Sequence, residues 1–223
     1  MDIYILHLET ATKSCSVALS LNGALKQNKE TTEEGYSHGE NLTLFIEEVM
    51  LKEGIEMKQL SAVCVSSGPG SYTGLRIGVS TAKGICYALG IPLLAIDSLQ
   101  CLQQTASQKY PDQKIASMID ARRMEVFSAI YDQNGVVLKP VSADIIDEHT
   151  YEEFIPFIAC GDGADKLSTC WQNRNITIDN SIFSSAAAQP EMAYQKFLQN
   201  DFEDVAYFEP FYLKDFVMQV KNK

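Results

Sequence analysis

The chain has 223 residues, of which 46% are hydrophobic and 21% charged, and its formal net charge is −11. A chain of this length buries about 70–75% of its unfolded surface in one large or two small domains, so it needs no disulfide or metal staple, and the balanced composition excludes disordered and fibrous classes. Lys and Arg on phosphates supply most of the affinity for nucleic acid, so 29 acidic against 18 basic residues suit the chain poorly for gripping RNA or DNA unaided.

The N-terminal run Ile3 to Leu8 is apolar and closed by Glu9; with Asp2 and His7 in it and no basic leading region, it reads as a first strand rather than a signal peptide. A polar loop, TATKSC, leads to SVALSL, and Asn22-Gly23 supplies the two-residue hairpin signal before ALKQN, giving a three-strand meander. Gly39 to Glu53 has helical periodicity: Leu42, Phe45, Ile46 and Val49 form a core stripe, while Leu44 and Leu51 point the opposite way. SAVCVSS is a strand, GPG punctuates it, and Leu75 to Leu89 is a helix ended by Gly90 and Pro92. In that helix Leu75, Val79, Ala82 and Cys86 make the core stripe, and Ile77, Thr81, Gly84 and Ala88 make a second ridge on the far side. PLLAI is a further strand.

The layout then repeats. Ile115 to Ile119 is an apolar run closed by Asp120, followed by ARRME, the strand VFSAIYD, an Asn134-Gly135 turn and VVLKP. TYEEFIP is a short helix candidate, FIAC a strand, Gly161-Asp162-Gly163 a loop, ADKLSTCW a helix and NITI a strand. The duplication predicts an α/β protein of two lobes, each with a mixed sheet and parallel crossovers.

The stretch SSGPGSYTGLRIGVSTAKG raises the question of a phosphate grip. Walker A spacing fails, because Thr73 and Leu75 stand five residues after Gly68 and Gly70; the Rossmann spacing fails at Thr73. Two readings stand: exposed N–H groups at a helix N-terminus that could hold an anion through Gly68 and Gly70, or a tight turn only. Histidines at 7, 38 and 149 give neither a triad nor an HxxxH pair, and six cysteines without a CxxC read as reduced thiols. Ser71, Tyr72 and Arg76 have no nearby base and read as capping, packing and solvent contact. The two helices that are apolar on both sides predict a subunit interface through Leu44, Leu51, Ile77, Thr81, Gly84 and Ala88. No apolar run is long enough to span a bilayer, and a cytoplasmic location with no membrane partner is expected.

The duplicated layout resembles the actin, hexokinase and Hsp70 superfamily, whose two ribonuclease-H-like lobes face each other across a cleft with an acid ending the first strand of each; Glu9 and Asp120 match those positions. That resemblance implies two tandem ribonuclease-H-like lobes of the actin-like ATPase fold, the first over 1–108, which the segment 209–223 could complete, and a smaller second over 109–208. LETATKSCSVAL, SHGENL, VSSGPGSYTGLRIGVSTAKGICYALGIPLLAIDSL, MIDARRMEVFSAIY, CGDG and PFYLK together resemble the TsaB (YeaZ) family of tRNA threonylcarbamoyladenosine modification, across both lobes. The resemblance implies a non-catalytic subunit that pairs with the paralogue TsaD, with TsaE as an ATPase partner, forms a homodimer when alone, and meets tRNA only through the complex. Where TsaD carries an HxxxH metal pair, this chain has Ser98 and Leu102, so no metal ligand, catalytic residue or cofactor is expected. It departs from the family in having Glu9 where an aspartate is usual, which puts a nucleotide role for that carboxylate in doubt. The alternative is an ATP-binding phosphotransferase or ATPase using Glu9 and Asp120 with magnesium.

Overall fold

The structure, a computed structural model, describes residues 2–32, 38–168, 170–171 and 174–214. Among these residues ten strands form two five-stranded mixed sheets. The first holds β1 (Tyr4–Glu9), β2 (Cys15–Leu21), β3 (Ala24–Thr31), β4 (Leu60–Gly68) and β5 (Leu93–Asp97) in the order β3-β2-β1-β4-β5. The second holds β6 (Ile115–Asp120), β7 (Glu125–Tyr131), β8 (Val137–Ile145), β9 (Phe157–Cys160) and β10 (Ile176–Asp179) in the order β10-β9-β6-β7-β8. Meander strands pair antiparallel and crossover strands parallel in both sheets. The duplication predicted from the sequence is therefore present strand for strand, and the two-lobed α/β class holds.

β1 is buried on both faces because its alternating residues serve two cores. Leu6 and Leu8 join the cluster beneath α1 (His38–Glu53) and α2 (Tyr72–Leu89), whereas Ile5 joins Leu94, Ile96, Cys101 and Ala193 on the other face. α3 (Ser98–Lys109) was not expected as an element. Asp97 caps it, its Oδ1 accepting from Leu99 N at 2.7 Å and Gln100 N at 3.1 Å. This helix is the wall shared by the lobes: Cys101 packs into the first, while Leu102 and Ala106 pack against Ile115 and Ile158 of the second.

The second lobe is reduced. The helices expected at TYEEFIP and ADKLSTCW are single 3-10 turns, Glu152–Phe154 and Ala164–Leu167. Aromatic rings fill the layer instead, with Trp171 edge-on to Tyr151 and Phe157 at centroid distances of 6.0 and 5.9 Å. α4 (Pro190–Leu198), also unforeseen, returns to the first sheet against β1 and β5, so chain before 209 that the layout assigned to the second lobe lies on the first. Among the described residues no helix is long and apolar enough to cross a membrane.

Candidate functional site

Glu9 ends β1, as the repeat predicts, but is fully buried. Its Oε1 accepts from Ala11 N at 2.7 Å, and its Oε2 accepts from the hydroxyls of Ser66 and Ser184, the latter at 2.6 Å. Ser66 Oγ in turn accepts from Gln189 Nε2 at 3.0 Å, and the same amide donates to Leu8 O at 3.3 Å. Burial raises the carboxyl pKa; the three donors oppose that shift in part, and the charge of Asp97 adds to it. The acid is thus enclosed by donors of its own chain. Ser184 and Gln189 were not anticipated, since nothing in a polar stretch 175 positions away signals that it closes over β1.

Asp120 ends β6 in the equivalent place but is exposed. It forms an ion pair with Lys166 and accepts from Arg122 N at 2.5 Å, while its own amide donates to Asp162 Oδ1 at 2.9 Å. Burial raises the Asp162 pKa, and Lys13, from the β1–β2 loop, lies close enough to pull it back in part. A cleft of about 470 Å³ lies among the β1–β2 loop, α3 and the segment 181–188, and Ser14, Thr105, Ser181 and Ser184 are among its lining residues. Lys109 at its edge is held by Asp179 at 2.6 Å.

The glycine loop is filled by the chain itself. A Cβ on Gly70 would lie 2.3 Å from Ala11 O, and one on Gly68, whose φ is +115°, would lie 2.5 Å from Phe211 O. Two loop amides and one of the first helical turn are engaged: Gly68 N donates to Ser98 Oγ at 3.1 Å, Ser71 N to Ala11 O at 2.6 Å, and Gly74 N to the N-cap Ser71 Oγ at 3.2 Å. Ser98 and Leu102, at the positions compared with the HxxxH pair, have structural tasks. Ser98 holds Gly68, and Leu102 packs between the lobes. Among the described residues no three His, Cys, Asp or Glu side chains gather as they would around a metal ion.

The outer faces of α1 and α2 are open. Leu44 is 60% and Leu51 77% exposed. Gly84 and Ala88 are exposed, and a Cβ on Gly84 would meet nothing within 4 Å. Tyr87, which the periodicity did not single out, is 85% exposed on the same helix. Ile77 and Thr81 are half-buried, and Ile77 also touches the first-lobe core. At the start of α2, Arg76 stacks 4.0 Å from the Tyr72 ring, and its Nε donates to Tyr212 OH at 3.2 Å. The C-terminal segment therefore reaches the edge of this face.

A protein-family model described as TsaD, tRNA N6-adenosine threonylcarbamoyltransferase, matches residues 30–207. Two curated proteins called tRNA threonylcarbamoyladenosine biosynthesis protein TsaB are similar over nearly the whole chain. The one from Haemophilus influenzae is 27% identical over 96% of this chain and 94% of its own length. The one from Escherichia coli K12 is 28% identical over 95% and 94%. A solved structure described as YeaZ from Pseudomonas aeruginosa superposes with a TM-score of 0.80 at 24% identity, covering 95% of this chain and all of that one, a likeness of fold.

Proposed function

The chain belongs to the family described as TsaD, tRNA N6-adenosine threonylcarbamoyltransferase, and within it to the TsaB/YeaZ group, and from that premise we propose that it is a non-catalytic scaffold subunit in tRNA threonylcarbamoyladenosine biosynthesis. In this reading the outer flanks of α1 and α2 dock a TsaD-like paralogue and hold it in a competent conformation. A TsaE-like ATPase joins the assembly, tRNA is met through the partner, and the same flanks pair two copies of this chain when the paralogue is absent.

The observation that carries the reading is the open face of α2: small or bare at Gly84 and Ala88, flanked by exposed Tyr87, and beside the exposed leucines of α1. Small residues let a foreign helix approach closely, and aromatic anchors supply area. The enclosure of Glu9, the filling of the glycine loop by Ala11 and Phe211, and the Asp120–Lys166 ion pair support a docking role over phosphotransfer. Gly84→Arg, placed where there is room for the side chain without disturbing the fold, is expected to abolish co-purification with a TsaD-like partner without lowering the unfolding temperature; retained binding would overturn the reading. It is a cleaner probe than Ile77→Glu, because Ile77 also contacts the chain's own core. Isothermal titration of the isolated protein with ATP and magnesium is expected to show no heat of binding, and micromolar binding would restore the phosphotransferase alternative.

A further inference from the structure

A trough of about 680 Å³ lies between the carboxyl end of β5, α4 and the segment 203–211. That volume is typical of binding clefts, which run from about 300 to 1,000 Å³. The trough exists because the C-terminal segment is pinned at two points and bows between them. Glu203 N donates to Leu93 O at 2.9 Å, and Phe211 N donates to Ser67 O at 2.7 Å. Lys83 of α2 steadies the bow, its Nζ donating to the carbonyls of Ala206 at 3.1 Å and Phe208 at 2.9 Å.

The lining has an apolar floor and an acidic rim. Ile96, Met192, Phe208 and Phe211 supply the floor; Asp97, Glu191, Glu203 and Glu209 supply the rim. The cation in the lining, Lys196, is held by Asp201 at 2.7 Å. Asp97 spends one oxygen, Oδ1, on both α3 amides, and its Oδ2 has no hydrogen-bond partner among the described residues. Large apolar side chains also gather in the open along this part of the chain, Leu198, Phe202, Tyr207 and Phe211 being 38–84% exposed. A purely solvent-facing segment does not normally collect them.

We propose that this trough docks a basic segment of a partner protein in which Lys or Arg residues alternate with apolar ones. Charged heads would meet the rim carboxylates while side-chain stems and apolar neighbours cover the floor. A small amine would leave the floor wet, and a second copy of this chain, with 18 basic against 29 acidic residues, is poorly supplied with the basic groups that the rim asks for. The trough leans on α2 through Lys83, but its lining holds no residue of α1 or α2, so substitutions can address the two surfaces one at a time.

The test is fluorescence anisotropy of the full chain with labelled Gly-Arg-Leu-Lys-Leu-Arg-Leu-Gly. Two control peptides carry Glu in place of each basic residue, or Gly in place of each Leu. Saturable micromolar binding of the first peptide is expected, weakened about tenfold or more in both controls and in the Glu191→Gln, Glu209→Gln double variant. Glu47→Gln with Glu53→Gln, which removes two charges elsewhere, should leave binding unchanged. The proposal is overturned by absence of binding, by equal binding of the Gly-substituted peptide, which would mean charge alone, or by equal losses in the two double variants, which would mean overall charge rather than this trough.

Discussion

His7 and Glu9 stand two positions apart on the central strand, both fully buried, and burial moves their proton affinities in opposite senses. Burial drives the His7 imidazole from 6.5 down to about 3, against a smaller pull from Gln189. The unfolded chain takes up that proton near 6.5 while the folded chain refuses it until far lower, so this contribution to stability is intact above pH 6.5 and is lost as pH falls towards 3. Between pH 6.5 and 5 the loss should reach about 2 kcal/mol. Urea unfolding across that range should show it in the parent and not in His7→Gln; the same slope in both would assign acid lability elsewhere. Glu9 behaves conversely. Its folded pKa is raised, so its contribution is complete below the ordinary 4.5 and is lost as pH rises through the raised value. Glu9→Gln should therefore match the parent at low pH and gain on it towards pH 8. Glu9→Ala should lose about 1–3 kcal/mol, because it strips an acceptor from Ala11 N, Ser66 and Ser184. Equal damage from Gln and Ala would mean that the ionised form is required. That an acid ends β1 was legible from the run Ile3 to Leu8; that it is enclosed was not, because its enclosing groups arrive from the far end of the chain.

At the scale of elements, α2 and its leading loop carry glycines with opposite duties. Gly70 faces Ala11 O, and Gly78 faces Thr10 Oγ1 at 2.3 Å from where a Cβ would sit, whereas Gly84 faces open space. Gly70→Ala or Gly78→Ala must push backbone or a buried hydroxyl aside and should cost about 3 kcal/mol or more. Gly84→Ala should instead stabilise the helix by up to about 1 kcal/mol. Thermal unfolding of the three variants checks this, and similar losses in all would mean that Gly84 is packed. Sequence spacing places Gly70 in the loop and Gly84 on the outer ridge but gives no task to Gly78, since the deciding neighbours, Ala11 and Thr10, lie in a loop some sixty residues earlier. The same limit explains the helices. α1 and α2 announce themselves because each holds a continuous apolar stripe on a large sheet. α3 is polar over much of its length, and its buried residues are shared between two lobes, so no single periodic face stands out. In the second lobe the expected helices shrink to single turns because Trp171, Tyr151 and Phe157 occupy the layer over the sheet.

At the scale of the molecule, the C-terminal segment joins parts that the duplication would leave separate. It crosses the edge of β5 at Glu203, covers Gly68 at Phe211, and reaches Arg76 of α2 through Tyr212. Leu213 then packs with Ile119, Phe127 and Tyr131 of the second lobe, and Lys214 pairs with Glu125 there. α3 also bridges the lobes, through Leu99 in the same cluster as Leu213 and through Leu102. Two clasps on a two-lobed body make its unfolding cooperative, because neither lobe can open without exposing apolar surface of the other. Ending the chain after Glu209 removes one clasp and leaves the other. Calorimetry of the parent should show one transition. The shortened chain should show two, the lower from the second lobe, whose helical pieces at 152–154 and 164–167 are single 3-10 turns. A single transition at the parent temperature would mean that α3 alone couples the lobes and that the segment merely lies across them. Loss of Tyr212 from the edge of the α2 face should also weaken partner docking in the same chain, whereas Leu213→Ala should loosen the lobes and spare docking. The pair of variants thus separates coupling between lobes from recognition by the outer helices.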